Sequence, residues 1–524
     1  MFVAGQKEMQ QMDRYTMDRL GLPGVVLMEN AGARVVEEIL SYAKGQKKKV
    51  MVLAGGGNNG GDGFVIARRL FDLGWDPLLC LLVNPKGIKG DAKCHLDVYL
   101  NRGLPVFYLQ EHTLDDLKTK LIHSDIIVDA ILGTGVKGAV REPFHQVISL
   151  VNDLKEKQII AVDIPSGVSS DNGKVEGEAI KATNTVTFVF PKKGFFFNDG
   201  PNYIGKWKAV DISVPPSIVK QLGFQLPQLV TGELVKSLLP KRPRNGHKGT
   251  FGHALVVGGS RSYVGAPLYA AKAVLNSGAG LVTLAIPEGI YPMAATQNPE
   301  SLFLPLSEKN GHFSEKAVEQ LEPNLSQFDC VAIGPGMSRF QGGGKWILSL
   351  VQALSNQSLV VDADALYLLR NDLEKLKGYS GAIIFTPHPG EMAHLLNLSV
   401  KEVEEERLEI AREFAKTFGI FLLLKGHRSI IATPDGEVYI NPYGHDALGK
   451  GGSGDVLTGL ITSFLAQGAA PVDALIVASY LHARAGEEQA KVLSHYGVMP
   501  LDLLDWVKSE CLNLAHKDVA EKNI

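Results

Sequence analysis

Lys49-Val-Met-Val-Leu-Ala-Gly-Gly-Gly-Asn-Asn-Gly-Gly-Asp-Gly-Phe-Val-Ile-Ala-Arg-Arg-Leu-Phe71 sets the fold class of this chain. Its first six residues are short and continuously apolar after the lysine, the pattern of a strand buried on both faces. Residues 55–63 follow as a glycine-rich loop, and residues 64–71 read as a helix. Strand, glycine loop and helix in that order open a Rossmann-like unit, where ligands sit at the strand's carboxyl end. The loop is neither a Walker A nor a regular G-x-G-x-x-G, so spacing alone names no nucleotide. Its backbone N–H groups can still hold an anion, and Asn58, Asn59 and Asp62 add polar groups that a plain turn would not need.

Working outward, residues 6–43 read as two helices broken by Leu20-Gly-Leu-Pro-Gly24. Further strands are expected at 77–83, 125–129, 159–163 and 185–190, with a helix near 91–102, which makes a parallel-sheet α/β domain. Two of these strands end in an acid followed by a glycine-bearing loop. Asp129 precedes Ala-Ile-Leu-Gly-Thr-Gly135, and Asp163 precedes Ile-Pro-Ser-Gly167. Each acid alone suits a helix cap equally well. Together with 58–63 they describe one rim facing the crevice in which α/β folds place their chemistry.

Prolines interrupt the alternation around 213–232, and a domain boundary is placed near 225. The basic run 241–248 is a solvated segment or a contact for a ligand phosphate. Alternation then resumes with strands at 253–257, 281–285, 330–333, 359–362, 382–385 and 421–424, and a helix at 266–276. Polar or glycine-rich loops follow these strands, including Gly334-Pro-Gly336, Thr386-Pro-His-Pro-Gly-Glu391 and Lys425-Gly-His-Arg-Ser429. The series ends in Gly449-Lys-Gly-Gly-Ser-Gly-Asp-Val-Leu-Thr-Gly459, a loop feeding the first turn of a helix. A carboxylate beside a phosphate is repulsive, so Asp455 is either an ordinary cap or a base for a hydroxyl while the N–H groups hold a phosphoryl group. His388 packs its loop or touches a ligand, and Lys425 is a surface cation or a phosphate contact. Asp362 and Asp364 read as strand-end caps without a catalytic role.

The 524 residues exceed one core and suggest about two to four domains. Formal charge is −3, with no basic bias to suggest a nucleic-acid partner. The four cysteines lie far apart and fit buried thiols of a reducing compartment better than disulfides or a zinc site. No secretory signal is read at the N-terminus, and no apolar run approaches the ~20 residues that span a bilayer. A cytoplasmic location without membrane contact is expected.

NNGGDG, DAILGTG and VDIPSG are together similar to the motifs of the NAD(P)H-hydrate epimerase domain, over about residues 1–218. The resemblance implies that Asn58, Asn59, Gly60, Gly61, Asp62, Gly133, Thr134, Gly135, Val136, Lys137, Gly138 and Ala139 hold the hydrated dinucleotide. It implies Asp163 as acid/base and Asn59, Asp129 and Ser166 as ligands of a potassium ion. GGSRSYVGAP, AIGPG, VDADAL, TPHPGE, LKGHRS and GKGGSGDVLTG resemble the ribokinase-like superfamily and, within it, the NAD(P)H-hydrate dehydratase domain. That likeness implies dinucleotide contacts at Ala266, Gly336 and His388. It implies nucleotide binding by Lys425, Gly426, His427, Arg428, Ser429 and Gly454, with Asp455 as base. The expected organisation is a Rossmann-like three-layer domain over 1–225 and a ribokinase-like α/β domain over 226–515. Magnesium with ADP, ahead of ATP, and a homo-oligomeric state belong to the same expectation. Residues 444–449 read Gly-His-Asp-Ala-Leu-Gly, a departure from the Asn-Pro that relatives tend to carry after the first glycine. The rival reading is a ribokinase-like vitamin or sugar kinase with a non-catalytic N-terminal module.

Overall fold

The computed structural model of the protein describes residues 1–136 and 138–516, which divide into two units after Leu226. The first unit is built on β1 (Lys49–Ala54), β2 (Asp76–Leu81), β3 (Val106–Tyr108), β4 (Ile126–Ala130), β5 (Gln158–Val162), β6 (Asn184–Phe188) and β7 (Lys206–Val210). They form one parallel sheet in the order β3-β2-β1-β4-β5-β6-β7. Successive side chains of a strand point to opposite faces, and β1 shows what that requires of its sequence. Val50, Val52 and Ala54 enter one core with the helices Gly24–Ala43 and Asn58–Asp72. Met51 and Leu53 enter a second core with Leu117, Leu121, Val147 and Val151 of the helices Leu114–Ile122 and Phe144–Asp153. A strand covered on both sides must be apolar throughout, and three layers result.

The structure corrects the reading of residues 58–63. They are the opening turns of the helix Asn58–Asp72 rather than a loop before it. The glycines there serve close packing. A Cβ on Gly60 would lie 2.0 Å from the Gly55 carbonyl oxygen, and one on Gly61 would lie 2.4 Å from the Met28 sulfur. Helix and strand thus approach more closely than any side chain would allow, which is why residues with poor helix propensity start the helix.

The second unit carries β8 (Gln228–Leu229), β9 (His253–Val257), β10 (Leu281–Pro287), β11 (Leu302–Leu306), and a small hairpin of β12 (Glu308–Lys309) and β13 (His312–Phe313). It continues with β14 (Cys330–Ile333), β15 (Ser358–Val361), β16 (Ile383–Phe385), β17 (Phe421–Leu424), β18 (Ile430–Ala432) and β19 (Val438–Ile440). The main sheet runs β11-β10-β9-β14-β15-β16-β17-β18-β19-β8. It is parallel from β11 to β17, and β17, β18 and β19 then pair antiparallel. The antiparallel extension was not expected from sequence, since β18 and β19 are three residues each and carry little periodicity. Helices Gly265–Asn276 and Ser453–Ala466 share the core on one face of this sheet. Their contact depends on Gly459, whose Cβ would stand 2.2 Å from the Ala270 carbonyl oxygen. That approach sets the N-terminus of the second helix at the ends of β15 to β17. Among the described residues no helix is long and apolar enough to cross a membrane.

The two close approaches make a stability prediction. Alanine at a helical glycine gains about 1 kcal/mol of propensity, whereas overpacking against backbone costs about 1–3 kcal/mol and more for so short a distance. Gly60→Ala and Gly459→Ala each lose about 2 kcal/mol in chemical denaturation; a stabilised variant would contradict the packing account.

Candidate active sites

In the first unit the centre is Asp163, directly after β5. Its backbone is left-handed (φ 64°), a conformation that strains a residue with a side chain. One carboxylate oxygen accepts hydrogen bonds from Lys192 Nζ at 2.5 Å, Thr187 Oγ1 at 3.1 Å and the Phe188 N–H at 3.0 Å. Lys192 is 1% exposed and also donates to Thr187 Oγ1 and to the carbonyls of Phe188 and Phe190. The lysine is therefore fully committed, and it locks Asp163 in place. Two further acids feel this pair. Burial pushes Asp13 up to about 6, with Lys192 pulling it down and Asp163 pushing it up. Burial, then the charges of Asp163 and Asp13, raises Asp62 well above the carboxylate range. Three carboxyls around one buried ammonium can hold and move a proton.

Beside them lies a nest of oxygens. Asp129 is fully buried at the end of β4, and burial raises it to about 6 against hydrogen bonds from Ser166 and the Ile131 N–H. The Ser166 N–H and Oγ donate to its two oxygens at 2.8 and 2.5 Å. Asn59 Nδ2 donates to the Leu132 carbonyl at 2.9 Å, and the Leu132 N–H donates to Ser166 Oγ at 2.8 Å. Asn59, Asp129 and Ser166 are thus brought together around residue 132. Gly133 packs on Asn59, with its Cβ position 3.3 Å from Asn59 Cβ. Thr134, Gly135, Val136, Gly138 and Ala139 continue as a partly exposed loop. Lys137 lies outside the described residues.

In the second unit Asp362 is the hub. Its carboxylate accepts from Lys425 Nζ at 2.8 Å, Thr386 Oγ1 at 2.8 Å and Thr458 Oγ1 at 2.7 Å. Burial alone would raise it, but the Lys425 charge and these three donors win and hold it below the usual carboxylate range. Lys425 is raised in return, with Asp362 and Glu391 outweighing its burial. Asp455, in the first turn of the helix Ser453–Ala466, is the opposite case. Burial pushes it up to about 7, the Asp362, Asp364 and Glu391 charges add to that, and Lys425 opposes. A carboxyl near neutrality therefore stands beside a lysine and a helix N-terminus, where the Ser453 N–H donates to the Lys450 carbonyl at 3.2 Å and the N–H groups of Gly454 and Asp455 suit an anion. His482 fixes that terminus. Its Nε2 donates to the Ser453 carbonyl at 2.9 Å, and burial lowers it to about 4, so it is neutral.

The remaining residues line the same sheet end. Gly336 (φ 64°) packs its Cα face on Ala266 and Tyr263, its Cβ position lying 3.0 Å from Ala266 Cβ. His388 caps the helix Pro389–Leu396, accepting the N–H groups of Gly390 and Glu391 at Nδ1, and its half-exposed ring places Nε2 3.5 Å from Glu391 Oε1. Arg407 donates to the carbonyls of Lys425 and Arg428 and thereby braces the loop 425–429. A Cβ on Gly426 would strike its guanidinium at 2.2 Å. Gly454 lies beside Lys425, its Cβ position 3.6 Å from Nζ.

Sequence reading missed Asp13 and Lys192 in the first unit and Thr386, Thr458, His482 and Arg407 in the second. Thr458 had a usable signal, being three residues after Asp455 on one helix face. Lys192 had none, since Lys193 beside it looks the same on paper.

The comparisons with known proteins agree on both halves. Residues 24–194 match a family model described as YjeF-related protein N-terminus, and residues 254–508 match one described as NAD(P)H-hydrate dehydratase. A protein of Moorella thermoacetica named bifunctional NAD(P)H-hydrate repair enzyme is 40% identical, covering 98% of this chain and 97% of its own. A Dictyoglomus turgidum protein of the same name is 31% identical over 95% of this chain and 96% of its own. Among solved structures, the ADP/ATP-dependent NAD(P)H-hydrate dehydratase of Bacillus subtilis, co-crystallised with ATP and Mg2+, is 29% identical. It covers 55% of this chain and 99% of its own, with a TM-score of 0.49.

The hub makes a pH-dependent prediction. Lys425→Met strands the Asp362 carboxylate, so its folded pKa rises above the unfolded value and stability falls as pH rises. The variant loses about 3 kcal/mol at pH 8 and markedly less near pH 5, where Asp362 takes up a proton. Denaturation at both values checks this; an equal loss at both would contradict it.

Proposed function

From the premise that this chain belongs to the bifunctional NAD(P)H-hydrate repair enzymes, we propose which of its residues perform the two reactions. The first unit, through Leu226, is the epimerase, and the second, from Pro227, is the nucleotide-dependent dehydratase. The observation that carries the reading is Asp455, poised near neutrality on a helix N-terminus beside Lys425.

The damaged cofactor carries a hydroxyl on C6 next to the ring nitrogen. In the first unit the nitrogen lone pair forms a C=N bond as the C6–O bond breaks, and the departing oxygen takes a proton. Water returned to the opposite face gives the other epimer. Asp163 moves that proton, and Lys192 positions Asp163. Residues 58–62 and 133–139 hold the dinucleotide. Asp129 holds its charge in the interior with, among the described residues, no cationic side chain bonded to it, and its neighbours Ser166 and Asn59 offer hard oxygens. That donor set fits potassium, which would supply the missing positive charge.

In the second unit Asp455 takes the proton of the C6 hydroxyl of the S hydrate, whose oxygen attacks the terminal phosphorus of ADP. The P–O bond to AMP breaks and the amides of Gly454 and Asp455, with Lys425, stabilise the transferred phosphoryl group. The ring nitrogen then expels phosphate, and loss of a C5 proton restores the reduced ring. Ala266, Gly336 and His388 contact the dinucleotide, and Lys425 to Ser429 with Gly454 contact the nucleotide. Asp364 and Glu391, near enough to raise Asp455, are hard oxygen donors that fit magnesium, whose chemistry is to neutralise phosphate charge. The four free thiols fit a cytoplasmic setting, and the family resemblance carries the homo-oligomeric state, which sedimentation tests.

Two outcomes follow. The dehydratase kcat/KM rises with pH through an acid limb near 7, where Asp455 loses its proton, and Asp455→Asn lowers kcat by about 100-fold or more. Undiminished turnover in Asp455→Asn would end its role as base. Potassium raises the thermal midpoint of the wild type more than sodium does at pH 8, where Asp129 is ionised, and Asp129→Asn loses that preference; equal effects of both ions would remove potassium from the site.

A further inference from the structure

A second cluster of ligating side chains stands outside the catalytic pocket, on the loop that leads into Gly449 to Asp455. His445, Asp446 and His495 bring two imidazoles and a carboxylate together from segments 49 residues apart. Asp446 Oδ1 lies 2.8 Å from His445 Nδ1 and 2.9 Å from His495 Nδ1, while Oδ2 lies 3.2 Å from His495 Nδ1. The ring centroids are 4.5 Å apart. One atom from each residue falls within 4.8 Å of the other two, close enough for one ion to reach all three.

The protonation pattern around His445 is informative. Its Nδ1 accepts the Ala447 N–H at 3.1 Å, so that nitrogen carries a lone pair and no proton. The same lone pair faces a carboxylate oxygen at 2.8 Å. Two acceptors so close repel unless something positive stands between them. A divalent ion placed there takes both lone pairs, replacing the Ala447 N–H as the partner of Nδ1.

The position is as telling as the chemistry. Ser494 interrupts the helix Pro471–Gly497 with extended, positive-φ backbone (φ 66°, ψ 164°), which turns His495 toward the loop. Lys450 Nζ donates to the Tyr496 carbonyl at 2.6 Å, and the Cβ position of Gly452 lies 2.9 Å from Pro500. The segment 494–500 is thus braced along the loop 445–452 at three successive points, and the His–Asp–His cluster is the first of them.

We propose that His445, Asp446 and His495 bind a divalent transition metal of the zinc class, which fastens the glycine-rich loop to the segment 494–500. Two imidazoles select such a metal over magnesium, which prefers oxygen donors. The remaining coordination positions are open to water. The site is separate from that of the nucleotide's magnesium and rests on residues with no part in the proposed chemistry. It deepens the account of the second unit without depending on its substrate.

The test is a calorimetric titration of the chelator-treated full chain with zinc chloride, run with magnesium in excess. One equivalent binds in the wild type, and His495→Ala and Asp446→Ala each weaken that binding by about 100-fold or more. Asp446 and His495 are 73% and 60% exposed, so both variants keep the metal-free thermal midpoint of the wild type. Zinc also slows amide hydrogen exchange across 445–452 in the wild type alone. No zinc binding, binding that both variants retain, or loss of it by magnesium competition would overturn the site. Binding without slowed exchange would overturn the fastening.

Discussion

The second unit depends on one buried carboxylate. Asp362 closes β15, Thr386 closes β16, Lys425 closes β17, and Thr458 comes from the helix Ser453–Ala466; all three side chains donate to Asp362. A carboxylate taken out of water costs several kcal/mol unless its charge is met and its lone pairs are filled. Here both conditions hold, so three strand ends and a helix terminus are fixed relative to one another. The consequence falls on Asp455. With Lys425 already engaged by Asp362, the second acid is left incompletely compensated, and burial keeps it near neutrality. One acid is thus committed to geometry while its neighbour stays near neutrality.

The first unit uses the same physics with the roles compressed. Lys192 meets Asp163 together with Thr187 and two carbonyls, and Asp163 holds a strained, left-handed backbone just after β5. Asp13 and Asp62 are raised, chiefly by burial and further by the Asp163 charge. Asp129 sits apart, buried with hydrogen bonds from Ser166 and the Ile131 N–H and, among the described residues, no cationic side chain bonded to it.

Much of this was readable in the chain because parallel strands covered on both faces must be apolar throughout. β1, β9, β14 and β17 therefore announced themselves to the residue. The acids and glycines at their ends marked the rim. What failed to show was anything decided by packing. Helix Asn58–Asp72 starts in glycine and asparagine because only glycine lets it approach Gly55 and Met28, and propensity argues the other way. Asp362 read as a strand-end cap, whereas its partners come from positions 24, 63 and 96 residues away. His388 looked like a ligand contact and acts first as a helix cap; Glu391 three residues on was the signal for that.

The central claim is that Asp163 and Asp455 serve two different reactions in one chain. The direct measurement is recovery of reduced nicotinamide absorbance from an equal mixture of both hydrate epimers, with magnesium and ADP in excess. It is read within a time in which the hydrates alone do not interconvert. The account predicts full recovery by the wild type, arrest near half by Asp163→Ala, and essentially none by Asp455→Asn. Full recovery by Asp163→Ala at the wild-type rate would contradict it.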